Sequence, residues 1–149
     1  MTTPEALNAL ADRVEREEPS RELDCEIAVS VYGGEVLQIP ARFTGGVIFA
    51  LKLPSAAHIG RFSRNPVEPY TTSLDSAVTL VPEGASWNVQ MYRGSGDAVV
   101  IYEDNEDRPD LDAEASAKTP AAALTAAALR ARAADMQARF APHPSPSGN

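Results

Sequence analysis

The run Tyr70-Thr71-Thr72-Ser73-Leu74-Asp75 is the densest set of side-chain hydrogen-bonding groups in the chain. Hydroxyls and backbone amides gathered at the start of a helix are one way proteins hold phosphate and other small anions. Arg61 and Arg64 stand just upstream and supply counter-charge in the bidentate form that such anions favour. The candidate ligand-binding set is therefore Arg61, Arg64, Tyr70, Thr71, Thr72 and Ser73. The plainer reading is that Thr72 and Asp75 form a capping box while Tyr70 packs. Thr119-Pro120 repeats the arrangement more weakly at the last helix.

Other chemistry is harder to assemble. His58 and His143 are the only histidines, and no H-x-x-x-H, C-x-x-C or H-E-x-x-H spacing occurs, so no metal site is expected. The acidic run Asp104-Asn105-Glu106-Asp107 invites a calcium loop. Counting from Asp104, however, Arg108 falls at position five and Pro109 at the glycine position. Cys25 lies between Asp24 and Glu26, whose charges oppose thiolate formation. No G-x-S-x-G motif marks a serine nucleophile, and Gly94-Ser95-Gly96 lacks the lysine of a phosphate loop. No catalytic residue, metal or cofactor is expected, and the chain is read as non-enzymatic.

Composition sets the frame for these residues. The chain has 149 residues, 44% hydrophobic and 23% charged, with 21 acids against 13 bases and a net charge of -8. One domain with a real core is expected. Direct nucleic-acid or anionic-membrane binding is disfavoured by the charge. No apolar run reaches the ~18 residues of a membrane helix. One cysteine and an N-terminus without an apolar leader point to a cytoplasmic protein.

Apolar spacing predicts the elements. Leu7, Leu10 and Val14 mark a helix over 4–17, capped by Thr2 or Thr3, and Leu23, Ile27 and Val31 mark a second, capped by Ser20 and stopped by Gly33-Gly34. Val36–Ile39 and Val47–Leu51 read as a hairpin whose first strand ends early or lies on an edge at Pro40. Residues 54–69 read as loop, and a third helix spans 72–81. Trp87, Val89 and Met91 alternate with polar residues, predicting a strand that returns after a Gly94–Asp97 turn as Ala98–Tyr102. Residues 103–118 read as an acidic connector, 120–140 as an alanine-rich helix, and the proline-rich 141–149 as a disordered tail. The expected fold is one α+β domain over 1–140, with helices packed on a small antiparallel sheet.

Three stretches also carry a family resemblance: Arg21–Ala28 with Leu23-Asp24-Cys25-Glu26-Ile27-Ala28, Tyr70–Ala77, and Thr119–Leu124 with Ala127–Arg132. In order and spacing they resemble the phage ABA sandwich domain, a family of small phage and prophage proteins. The resemblance implies an α/β/α sandwich-like layering and a bacterial host cell, transfers no catalytic residue, and makes residues 35–69 an insertion. Together these readings suggest a phage accessory protein that binds a small anionic, nucleotide-like ligand, in the manner of a protein sequestering a host defence signal. The alternative is an acidic protein-interaction module, a nucleic-acid mimic or host-factor binder, whose Asp104, Glu106, Asp107 and Asp110 occupy a basic host or phage protein. A homo-oligomer built on the alanine face of the last helix is a further expectation, beside the plainer one that this face lies on its own sheet.

Overall fold

Thr3 opens the chain's first helix: its hydroxyl accepts from the Ala6 N–H at 3.1 Å, with Pro4 in the first turn where it sacrifices no hydrogen bond. Of the two candidate caps, Thr3 and not Thr2 begins α1 (Pro4–Arg16). Ser20 caps α2 (Arg21–Tyr32), and Gly33, at φ +76°, ends it in a conformation that costs glycine nothing. The computed structural model describes residues 2–40, 45–52, 64–101 and 112–140.

The remaining elements are β1 (Glu35–Pro40), β2 (Val47–Lys52), β3 (Arg64–Pro66), α3 (Leu74–Val78), β4 (Ser86–Tyr92), β5 (Ser95–Ile101), β6 (Ala113–Ala117) and α4 (Pro120–Phe140). The class is α+β, and the strands form two three-stranded antiparallel sheets, β1-β2-β3 and β4-β5-β6, where the sequence predicts one. The stretch read as an insertion supplies the whole first sheet. Pro40 ends the edge strand β1, where its missing N–H breaks no ladder.

Four expectations need correction. Residues 64–66 are a strand against β2, because Ala50, Leu51 and Lys52 offer it a partner edge. Helix α3 has five residues and is capped by Ser73, whose hydroxyl accepts from Ser76 N–H, so the Thr72–Asp75 box does not form. The β4–β5 turn is the two residues Arg93-Gly94, with Tyr92 paired to Ser95, so Ser95–Asp97 are strand. Within the supposed acidic connector, Ala113–Ala117 form β6, with Ala113, Ala115 and Ala117 buried and Glu114 and Ser116 outward. The predicted features at 54–63, 102–111 and 141–149, including His58, Arg61, Asp104 and His143, lie outside the described residues.

Helix α4 is the centre of the molecule. Every residue from Ala121 to Leu129 is buried, around the whole circumference of the helix. A helix apolar on all sides requires neighbours on all sides, and α1, α3 and the second sheet supply them. Its alanines thus lie against the chain's own elements, the plainer of the two expectations. Leu124 and Leu129, fully buried, each contribute about 1.5–3 kcal/mol. The small side chains of Gly96, Ala98, Ala115 and Ala117 on the facing strands let helix and sheet approach closely.

Candidate functional site

The Tyr70–Ser73 turn is held from within. Asp24, 1% exposed, accepts from Thr71 N–H at 2.9 Å and Thr71 Oγ1 at 2.7 Å through the same carboxylate oxygen. Its other oxygen accepts from Arg21 at 3.0 Å, and Arg21 also donates to the Val67 carbonyl at 2.6 Å. From the opposite side Thr119 Oγ1 donates to the Thr71 carbonyl and Thr125 Oγ1 to the Tyr70 carbonyl, at 2.8 and 2.9 Å. Buried polar groups are tolerated when partnered in this way. The network ties α2, the turn and α4 together, and it joins the three stretches that carry the resemblance.

This geometry determines what the predicted anion set offers. Thr71 is fully buried and its donors point at Asp24; Ser73 caps α3; Tyr70 is 4% exposed, with burial first and then the neighbouring Tyr32 pushing its hydroxyl above the usual range. Of the set's described side chains, Thr72 alone is exposed. Arg61 lies outside the described residues, and of Arg64 only the backbone, in β3, is described. A concavity of about 320 Å³ beside the turn is lined by Tyr32, Leu51, Val67, Tyr70 and Thr79, with Glu68 its one charged residue among the described residues. A carboxylate there opposes an anion. A second concavity, about 660 Å³, holds Arg132 and Arg139 but also Glu83 and Asp135; Arg139 pairs with Asp135 at 3.1 Å and Arg132 donates to the Leu80 carbonyl at 2.7 Å.

The second sheet presents a different surface. Period-two alternation sends Gly96, Ala98 and Val100 of β5 inward toward α4 and Asp97, Val99 and Ile101 outward. Asn88 and Gln90 of β4, and Glu114 and Ser116 of β6, register beside Val99 and Asp97 on that same outer face. Together with Glu15 they line an open concavity of about 490 Å³. Ser116 Oγ donates to Asp97 at 2.5 Å, and its N–H donates to Glu15 at 2.9 Å, which closes part of the β6 edge. Arg130 bridges Glu15 and Asp12 and donates to the Glu114 carbonyl. Asp12, Glu15, Asp97 and Glu114 outnumber that single guanidinium. Sequence reasoning missed this face because β6 was read as connector; the alternation Ala113-Glu114-Ala115-Ser116-Ala117 was the available signal.

The Arg130 hydrogen bond, aided by the Ser116 N–H, holds the Glu15 carboxyl below the usual range. A depressed folded value adds stability that is fully present above the ordinary 4.5 and lost as pH falls through the lower folded value. Glu15→Gln should therefore cost about 0.5–1 kcal/mol at neutral pH, discounted for partial exposure, with the gap from the native protein closing in acid. Urea titrations from pH 7 to pH 3 check this; a gap independent of pH would contradict it.

Burial pushes the Cys25 thiol up, with Asp24, Glu22 and Glu26 adding to the effect and Arg21 opposing it. Among the described residues no group of three His, Cys, Asp or Glu side chains is placed to hold a metal ion, and no helix is long and apolar enough to cross a membrane. Compared with protein-family models, curated proteins and solved structures, the chain matches none.

Proposed function

We propose that the chain is a non-enzymatic protein-interaction module that presents the acidic outer face of its second sheet to a basic partner protein. The observation that carries this is the open face of Asn88, Gln90, Asp97, Glu114 and Ser116, with Glu15 beside it, which no described element covers. The acidic residues 103–110 add to it in sequence: the strand ends that bracket them, Ile101 and Ala113, both belong to this sheet. The resemblance to phage ABA sandwich domains adds a phage or prophage setting and a bacterial cytoplasm. A basic host or phage protein is the partner class, since complementary charge steers association and sets specificity. The small-anion reading has less support, because the Thr71 donors serve Asp24 and the described guanidinium nearest in the network, Arg21, serves Asp24 and Val67.

Binding of a lysine- and arginine-rich peptide, followed by fluorescence anisotropy, tests the reading. The native chain should bind at low salt and release as salt rises. Asp97→Asn with Glu114→Gln should weaken binding about tenfold, equivalent to about 1.4 kcal/mol. Adding neutral residues at Asp104, Glu106, Asp107 and Asp110 should remove what is left. Glu22→Gln with Glu35→Gln, the same loss of charge on α2 and β1, should leave affinity nearly unchanged. Equal effects from the two pairs would reduce the surface to net charge and overturn the proposal.

A further inference from the structure

Strand β4 is an edge that nothing described protects. It pairs with β5 on one side only, and no described element hydrogen-bonds to the other. Exposed edges are ordinarily blunted by lysine, proline, a bulge or short length. Here the seven residues Ser86–Tyr92 carry no charge and no proline, in a chain of net charge -8, and pair residue for residue without a bulge. On the inward side of the sheet, Trp87 and Met91 overhang the cover of α4, 41% and 76% exposed.

The hairpin determines which backbone groups face outward. A two-residue turn is closed by a hydrogen-bonded pair, here Tyr92 and Ser95, and such pairs then alternate along the ladder. Trp87, Val89 and Met91 therefore fall at the non-bonded positions toward β5, and their N–H and C=O groups point to the free edge.

We infer that β4 pairs antiparallel with β4 of a second copy of this chain, about a two-fold axis at Val89. In that register Val89 meets its own counterpart, and Trp87 of each copy stands opposite Met91 of the other. Both pairs lie on the inward side and bring indole and thioether together, a contact both groups favour. Asn88 falls opposite Gln90 on the outer side, and their amides can exchange hydrogen bonds. Arg93 falls opposite Ala85, with Glu83 of the other copy two residues further along, so the ends of the joint are oppositely charged. Self-complementarity in apolar, amide and charged positions is what an isologous joint requires. It creates a continuous six-stranded sheet. The inference does not depend on the role assigned to the acidic face, although the joint would place two such faces side by side.

Sedimentation equilibrium of the full chain tests this. The native protein should run at twice the 15.9 kDa chain mass. Met91→Lys places a charge at the joint, and Met91→Pro removes an N–H that serves only the free edge. Each should raise the dimer dissociation constant at least about tenfold while leaving far-ultraviolet circular dichroism unchanged. A native chain that stays monomeric at high concentration would overturn the inference. So would folded Met91 variants that dimerise like the native chain.

Discussion

Replacing the buried Asp24 of α2 by alanine should destabilise the protein by about 2–4 kcal/mol. The carboxylate is 1% exposed and receives the Thr71 N–H, the Thr71 hydroxyl and Arg21. Its loss strands two donors of a residue with no exposure, and each unsatisfied buried group costs about 1–3 kcal/mol. Arg21 is less affected, since its side chain is 44% exposed and can turn to water. Asp24→Asn keeps an acceptor for Thr71 but directs an amide at the guanidinium, so it should cost about half as much. Thr71→Val in the Asp24→Ala background should recover about 1 kcal/mol by removing the orphaned hydroxyl, a coupling that a double-mutant cycle in urea measures. Additive losses would show that the two side chains act independently.

Gly96→Ala should be the most damaging one-carbon addition. A Cβ there would lie 2.7 Å from Pro120 Cα and 2.9 Å from its nitrogen. These are backbone atoms, so no rotamer relieves the clash and the start of α4 must move away from β5. That movement also disturbs Thr119, whose hydroxyl caps α4 through the Ala122 N–H at 3.0 Å and bonds the Thr71 carbonyl at 2.8 Å. Overpacking of this kind costs about 2–3 kcal/mol. The gain from stiffening the unfolded chain, about 0.4–1 kcal/mol, does not offset it. Thermal unfolding of Gly96→Ala checks the sign, and a melting temperature at or above the native one would contradict it.

These two residues show where sequence reasoning succeeds and where it stops. Helices α1 and α2 were legible because caps and apolar spacing are local, within four residues of one another. The β1–β2 and β4–β5 hairpins were legible for the same reason, through β-branched runs, alternation and glycine turns. Strand β6 was not, because alanine, serine and glutamate are poor strand formers; the strand exists because small residues suit its packing beneath α4. The Thr71 hydroxyl looked available because Asp24, 47 residues earlier, gives no local sign of being its partner. The open acidic face escaped notice with β6, since it needs Glu114 and Ser116 in register with Asp97. The alternation of Trp87, Val89 and Met91 with polar residues marked a strand, but the exposure of Trp87 and Met91 on its inward side appears only in the folded chain.

The claim that the outer face of the second sheet is the binding surface is tested most directly by nuclear magnetic resonance. An ¹⁵N-labelled chain would be titrated with the lysine- and arginine-rich peptide at low salt. The amides of Asn88, Gln90, Asp97, Glu114 and Ser116 should shift together, saturably, and return to their starting positions when salt is raised. Shifts centred on Tyr70–Ser73, or scattered over acidic residues on every side of the molecule, would contradict the account.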